Sequence, residues 1–329
     1  MTADRIGWEE MTEPTMSLVI VSREQQADGV VVLDLVAPDG RTLQPFEPGA
    51  HVDVVLGAGL VRQYSLCGSP ADRSRYRLGI LLAPDSRGGS AEIHRGFRVG
   101  EQIRISPPRN LFPLAPDASR SILIGGGIGI TPLLAMAYHL HGGGQDFALH
   151  YCARERGRAA FLGELEAASF RDLTRLHFDD GVAEQRFDPK RDLPPVLSGT
   201  HLYVCGPTGF MDWVIAAARE LGYPDTQIHR EYFNAEIDRE GDAFEVVLRR
   251  SERTVSVPSG VTIVKALTEA GIAVEVSCEQ GICGTCLCQV LEGTPDHRDG
   301  YLTEEERAAN DQMLLCCSRA KTPQLVLDL

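Results

Sequence analysis

The sequence predicts a multidomain chain: an antiparallel β-barrel, then an α/β domain on a parallel sheet, then a small α+β module. Three observations predict it. Short apolar runs broken by Pro, Gly and Asp turns fill the first third of the chain. Strand-like and helix-like runs then alternate. Near the C-terminus, six of the nine cysteines fall between Cys278 and Cys317. The boundaries drawn from these patterns are a leader over 1–16, the barrel over 17–115, the α/β domain over 116–232, a linker over 233–243 and the third module over 244–329.

In the barrel, strands are expected at Leu18–Val21, Val30–Val36, His51–Val55, Arg77–Leu82 and Gln102–Ile105, with Arg62-Gln63-Tyr64-Ser65 at the end of a further strand. Turn formers such as Pro38-Asp39-Gly40 and Pro48-Gly49 separate them. In the α/β domain, strands at Ser121–Ile124, Phe147–Cys152 and His201–Cys205 alternate with helices near Pro132–His141, Ala160–Ser169 and Gly209–Leu221. That order implies parallel strands joined by right-handed crossovers. The linker is polar, acidic and contains Gly241. The third module opens on a hairpin, Phe244–Leu248 and Thr254–Val257 around Ser251-Glu252, followed by a helix at Thr262–Ala270, a strand and the cysteine loop.

Charge and composition exclude several classes. The net charge is −14, against nucleic acid and anionic membrane surfaces as partners. Residues 235–329 hold 17 Asp/Glu and 9 Lys/Arg, and so carry −8 of that total. No run of about 18 apolar residues suggests a membrane span, and Met1–Met16 lacks the basic and apolar regions of a signal peptide. An odd, clustered cysteine count fits a reducing compartment, the cytoplasm, and a metal site better than a disulfide framework. No H-E-x-x-H spacing, Ser–His–Asp set or paired-carboxylate site is present.

The strongest chemical signal is Cys278-x4-Cys283-x2-Cys286 with Cys316 further on, the spacing of a plant-type [2Fe–2S] site. Ser277, Gly281, Gly284 and Thr285 are small enough for backbone N–H groups to approach the sulfurs and tune the cluster. A structural zinc site would favour two short Cys pairs. Cys288 sits two residues past the loop and reads as core, whereas Cys317 competes with Cys316 for the fourth position.

Two further sites follow from local chemistry. Arg62 can neutralise a phosphate, Tyr64 can stack on a flat ring, and Ser65 can bond to the ring edge. Gly88-Gly89-Ser90 precedes a short helix and offers bare N–H groups and a hydroxyl to phosphate. Together they outline a flavin site in the barrel. The turn Gly125-Gly126-Gly127-Ile128-Gly129-Ile130-Thr131-Pro132 follows a strand and opens a helix, with Thr131 suited to the N-cap and Pro132 to N1. It departs from the usual dinucleotide fingerprint, yet Gly127 and Gly129 still let backbone approach a pyrophosphate at a helix N-terminus. Cys205-Gly206-Pro207 ends another parallel strand, where a nicotinamide would lie.

In this order, with Pro108-Arg109-Asn110-Leu111-Phe112-Pro113-Leu114, Asp296-His297-Arg298-Asp299 and Leu325-Val326-Leu327-Asp328-Leu329, these motifs resemble phthalate dioxygenase reductase and the vanillate demethylase reductases. The likeness runs from about residue 17 to the C-terminus. It implies an FMN-binding barrel, a ferredoxin reductase-like domain for NADH and a β-grasp ferredoxin domain. It implies that Arg62, Tyr64 and Ser65 hold the flavin, Gly88, Gly89 and Ser90 its phosphate, and Thr131 its reactive face; Gln63, placed at the flavin within the same strand end, departs from the family's pattern, as do the leader of about 15 residues and the Cys316-Cys317 doublet. Phe233 would cover the ring, with Tyr232 its rival. Gly127, Gly129, Cys205, Gly206 and Pro207 would bind NADH, and Ser65, Thr131 and Cys205 would be catalytic. Cys278, Cys283, Cys286 and Cys316 would bind the cluster.

The expected activity is that of an NADH-dependent flavin/iron–sulfur oxidoreductase feeding electrons to a terminal oxygenase, the Rieske centre of an aromatic-ring oxygenase or O-demethylase. A cytochrome P450 or a broad set of acceptors is the second reading, and a non-catalytic iron–sulfur sensor the third. Arg154, Arg156 and Arg158 follow the second parallel strand and could instead meet the 2′-phosphate of NADPH.

Overall fold

The computed structural model describes residues 15–57, 60–83, 88–233, 238–276, 278–282 and 284–329. The chain forms two compact units, residues 1–233 and residues 234–329.

The first unit begins with strands β1 (Met16–Ala27), β2 (Val30–Val36), β3 (Ala50–Val55), β4 (Val61–Ser65) and β5 (Tyr76–Leu81). Helix α1 (Gly89–Gly96), β6 (Gln102–Ile105) and β7 (Arg109–Asn110) follow. The strands form one antiparallel sheet in the order β4-β3-β6-β1-β2-β5, with β7 beside β3. A bridge between Leu66 and Leu78 joins the far end of β4 to β5 and closes the barrel. Alternation fixes its inner face: Leu18 and Ile20, Val31 with Leu33 and Leu35, Val52 and Val54, and Leu78 and Ile80 share one core. Strand β2 is apolar on both faces because Val30 and Val32 look outward, into a second core shared with the α/β domain. Each such side chain stabilises by about 1.5–3 kcal/mol when fully buried.

Next come β8 (Arg120–Gly126), α2 (Ile130–Gly142), β9 (Asp146–Ala153), α3 (Leu162–Ala167), β10 (Thr174–Phe178), α4 (Pro189–Asp192), β11 (Thr200–Cys205), α5 (Thr208–Glu220) and β12 (Ile228–Glu231). All five strands are parallel, in the order β10-β9-β8-β11-β12. Strands β10 and β12 carry too few apolar residues in sequence to be seen beforehand. The expected helix over 160–169 is shorter, because Phe161 takes a left-handed conformation (φ 63°) just before it. Thr131 is not the N-cap: Gly129 is, helix α2 starts two residues earlier than expected, and the Thr131 hydroxyl donates to the Ile128 carbonyl at 2.9 Å.

Within this unit the barrel and the sheet are locked by polar groups as well as by the shared core. Arg77 of β5 binds Glu164 of α3 at 2.5 Å, and Glu164 accepts from the Tyr138 hydroxyl at 2.6 Å. The Ala115 amide donates to the Tyr203 hydroxyl at 2.8 Å.

The second unit holds β13 (Phe244–Leu248), β14 (Arg253–Val257), α6 (Ile263–Glu269), β15 (Leu287–Glu292), β16 (Pro295–Asp296), α7 (Glu304–Ala309), β17 (Gln312–Leu314), β18 (Arg319–Ala320) and β19 (Gln324–Leu327). The sheet order is β14-β13-β19-β15-β17, with β13 and β19 parallel at its centre. Thr262 caps α6 through the Lys265 amide, and Glu252 turns the first hairpin with φ 53°. Residues 272–276 form no strand, although the sequence suggests one before the cysteine loop. Arg319 holds the carbonyls of Asp242, Val261 and Pro258, which ties residues ahead of β13 to the module.

Candidate functional site

Strands β8 and β11 are neighbours, yet the chain runs outward from β8 to β10 on one side and from β11 to β12 on the other. Ligands of open α/β sheets bind at such a reversal, outside the carboxyl ends of the strands. Both glycine-bearing turns of the α/β domain lie there. Gly125 pairs in register with Cys205, and Cys205 with Glu231. Gly129 lies so close beneath the Cys205 carbonyl that a methyl group would overlap it. Gly206 and Pro207 abut Gly126 from the other side. Gly127 has φ 55° and open space where a side chain would be, so it leaves bare backbone at the mouth of the turn.

The barrel brings its own residues to this edge. Ser65, the last residue of β4, donates to the Glu231 carboxylate at 3.3 Å. Thr131 is buried, and a side chain at Gly79 of β5 would stand 2.8 Å from its methyl group. Burial pushes the Glu231 carboxyl up to about 8, against the pull of the Ser65 hydroxyl. Burial, and then the neighbouring Glu231 charge, push the Cys205 thiol well up, so it stays a neutral thiol. Ser65, Cys205 and Glu231 thus meet at one edge, with Ser65 and Cys205 buried and Glu231 half-buried, while Thr131 lies buried against barrel strand β5. Sequence reasoning reached Ser65, Thr131 and Cys205. It missed Glu231, whose only signal was its place two residues before Phe233. Phe233 packs on the core that contains Cys205, whereas Tyr232 packs on the core across the sheet and bonds to Asp212.

Arg62 lies along Gly89, so closely that a side chain there would stand 2.5 Å from its Cγ. This sets a guanidinium against the N-terminus of α1, where Gly88 provides no side-chain cap and φ is 99°. A helix N-terminus beside an arginine suits a phosphate. Tyr64, next along β4, is largely buried, and desolvation raises its phenol to about 12 although Arg62 works against it. Two residues have structural duties as well. The Ser90 oxygen accepts from the Ala83 amide at 3.2 Å, and Gln63 contacts the His51 ring at 3.3 Å. The donor set therefore fits a flavin phosphate at Arg62, Gly88, Gly89 and Ser90, and a flat ring along Tyr64 and Ser65.

In the second unit, Cys278, Cys286 and Cys316 are all buried; Ser277 and Cys283 lie outside the described residues. The Gln280 amide donates to the Cys278 sulfur and the Gly281 amide to the Cys316 sulfur, both at 3.2 Å. Gly281 (φ 72°) and Gly284 (φ 75°) make this wrapping possible. A side chain at Gly281 would meet the Cys317 sulfur at 2.5 Å, and one at Gly284 the Tyr301 ring at 2.5 Å.

Hydrogen bonding to Cys278 and then Cys286 pushes the Cys316 thiol up, and the bond from Cys316 draws Cys286 down. Such a group of sulfurs would need a cation to ionise together, and iron would supply one. Among the described residues no three His, Cys, Asp or Glu side chains gather as for a single metal ion. A binuclear cluster shares four thiolates between two irons, so no iron needs three of them. Cys288 lies on β15 and is part of the core.

Comparison with known proteins agrees with both units. A family model described as "2Fe-2S iron-sulfur cluster binding domain" matches residues 246–321. Vanillate O-demethylase oxidoreductase from Pseudomonas sp. (strain HR199 / DSM 7063) is 49% identical over 316 residues, covering 95% of this chain and 100% of that protein. The structure of phthalate dioxygenase reductase, described as modular for electron transfer from pyridine nucleotides to [2Fe–2S], aligns with a TM-score of 0.74 and 36% identity, covering 96% and 98% of the two chains. An intact type IV self-sufficient cytochrome P450 monooxygenase aligns with a TM-score of 0.84 and 37% identity over 99% of this chain and 43% of that one.

Proposed function

The chain belongs to the vanillate O-demethylase oxidoreductase family and passes electrons from a pyridine nucleotide through a flavin to a [2Fe–2S] cluster; from that premise we propose that NADH is the donor, FMN the flavin, and the Rieske centre of a terminal oxygenase the acceptor. The observation that carries the reading is the meeting of Ser65 with Glu231 and Cys205 at the switch point of the parallel sheet. Bound flavin accepts a hydride and releases electrons singly, so it joins a two-electron donor to a one-electron cluster.

The protein's own residues prepare that transfer. Gly127 and Gly129 leave backbone open to a pyrophosphate, while Cys205 and Thr131 exclude water at the edge where hydride moves. Ser65 and Glu231 hold a proton between barrel and sheet. Phe233 packs where it would cover the ring. Cys278, Cys283, Cys286 and Cys316 would hold the cluster.

The choice of NADH is supported by the arginine run. Arg156 is paired with Glu166 and Arg158 with Glu155, which leaves less positive charge for a 2′-phosphate. Asp179 and Asp180 follow β10, and their backbone amides donate to the carbonyls of Ala153 and Arg154 at the end of β9. Carboxylates near that strand end favour a ribose hydroxyl over a phosphate. A kcat/KM for NADPH above that for NADH would reverse this reading. Extraction and chromatography of the flavin decides FMN against FAD.

No helix among the described residues is long and apolar enough to cross a membrane, and the odd, clustered cysteine count supports a reducing compartment, the cytoplasm. The likeness to a chain that includes a P450 favours a cytochrome P450 as a second acceptor. Cys286→Ser should abolish NADH-dependent reduction of cytochrome c while NADH still reduces the flavin. Undiminished cytochrome c reduction would refute a route through the cluster. Turnover with a purified Rieske oxygenase, against a purified P450, distinguishes the two acceptors.

A further inference from the structure

The Asp296-His297-Arg298-Asp299 segment stands out in the sequence and has no part in the chemistry so far. In the structure it lies behind the cysteine loop. The Gly300 amide donates to the Gly281 carbonyl at 3.0 Å, and a side chain at Gly281 would meet the Asp299 Cα at 3.2 Å. The Asp299 side chain has no solvent exposure, and that of His297 is 7% exposed. Burying a carboxylate costs several kcal/mol unless it is hydrogen-bonded and paired. One Asp299 oxygen accepts from the Tyr301 and Leu302 amides at 3.1 and 2.8 Å. The other has no hydrogen-bond partner among the described residues and faces the His297 Nδ1 at 3.8 Å. Arg307, on α7, donates to the Asp299 carbonyl at 2.5 Å and stands 3.7 Å from its carboxylate. Helix α7 is itself fixed by a capping box between Thr303 and Glu306.

Holding the turn would need only a side-chain oxygen, which Asn or Ser supplies. The chain keeps a full charge there, under cover, with a counter-charge on the next helix. The same turn bonds to Gly281, whose amide donates to the Cys316 sulfur. Net charge and hydrogen bonds to the sulfurs are among the factors that set a cluster's potential. We propose that Asp299 is a positioning residue for the cluster: its buried carboxylate, braced by Arg307, fixes the turn behind Gly281 and, as a negative charge held away from water, lowers the reduction potential. The inference rests on the iron–sulfur reading of the loop. Reduction adds one negative charge to the cluster, so a buried carboxylate behind the loop disfavours it and the Arg307 charge favours it.

The test is an EPR-monitored redox titration of the full-length, cluster-loaded protein and two variants. Asp299→Asn keeps an oxygen for the Tyr301 and Leu302 amides and removes the charge. At a fixed poise its ratio of reduced to oxidised cluster should rise about tenfold, which is 59 mV for a one-electron couple. Arg307→Gln removes the counter-charge and should move the ratio the other way. Potentials equal to wild type in both variants would overturn the proposal and leave Asp299 a fold brace. If D299N does not retain a cluster, R307Q decides: a lower potential supports the proposal, and an unchanged or higher one overturns it. A wild-type protein with no iron–sulfur absorbance or EPR signal would sink the reading of the loop itself, a failure distinct from either.

Discussion

The pairing of Arg77 with Glu164 predicts how the flavin barrel and the nucleotide sheet stay aligned. Arg77 lies on barrel strand β5 and Glu164 on helix α3, and both side chains are about four-fifths buried. Glu164 also accepts from Tyr138, and Arg77 stacks over the Phe161 ring at 5.4 Å. Removing one partner of a fully buried pair costs about 3–5 kcal/mol. The residual exposure here screens the charges, so Arg77→Met should cost about 2 kcal/mol. Glu164→Gln keeps an acceptor for Tyr138 and should cost about 1 kcal/mol. The double variant should fall short of the sum by at least about 1 kcal/mol, since Arg77 and Glu164 then leave no unpaired charge on each other and Asp34, which also loses Arg77, keeps Arg75.

Urea unfolding followed by flavin release measures the cycle. The functional consequence is separable from stability. Hydride transfer needs its reacting atoms about 3–3.5 Å apart, and a misplacement of about 1 Å can cost about a hundredfold. Arg77→Met should therefore slow flavin reduction by NADH about tenfold in stopped flow, with little change in KM. Additive stabilities, or an unchanged rate of flavin reduction, would refute the idea that this pair aligns the two lobes.

Other perturbations have equally definite outcomes. Gly129→Ala would press a methyl into the Cys205 carbonyl, so it should lose NADH binding, or folding, while the isolated second unit is not involved; titration of NADH against the oxidised protein checks it. Glu231→Gln mimics the protonated acid that dominates about tenfold at pH 7 if the carboxyl sits at about 8. Flavin reduction should then match wild type within about threefold at pH 7, and the inflection near pH 8 should vanish from its pH profile. Burial, with His177 beside it, lowers His150 to about 4, so the unfolded chain takes up this proton more readily. That stability is intact above pH 6.5 and is lost as pH falls from there towards 4, by at most about 3 kcal/mol. His150→Phe should flatten that acid limb in pH-dependent unfolding.

The residues legible in the sequence are those whose chemistry is local. Cysteine spacing, the glycine turn ahead of α2 and the Arg62-to-Ser65 strand end each carry their meaning within a few positions. Glu231 does not. It matters because β12 pairs with β11 and aligns Glu231 with Cys205, and because the barrel folds Ser65 back onto it. Strand β12 is four residues long with one apolar side chain, too short for any periodicity to register. Thr131 shows the same limit in reverse. Its position before Pro132 reads as a cap, but Gly129 fits under the Cys205 carbonyl and starts the helix two residues earlier. A contact made by a distant strand overrides a sound local preference.

That contrast bears on which substitutions this architecture can absorb. The loops that touch cofactors tolerate little change because their backbone must approach a phosphate or a sulfur, and a sequence motif is the visible trace of that demand. The groups proposed to tune the chemistry, Glu231 in the first unit and Asp299 in the second, would act through their surroundings: Glu231 leaves no trace at short range, and the motif that holds Asp299 does not by itself disclose a role. Both are carboxylates held where water would otherwise solvate them, and each meets a small number of donors: Ser65 for one, two backbone amides for the other. A relative that kept every glycine and cysteine but replaced these two acids would keep the fold and the cofactors. It should differ in the pH dependence of flavin reduction and in the potential of its cluster. Exchanging both acids at once separates the ideas: because they lie in different units, their effects on those two readouts should be independent, and a change at Glu231 that moved the cluster potential would contradict the assignment of separate roles.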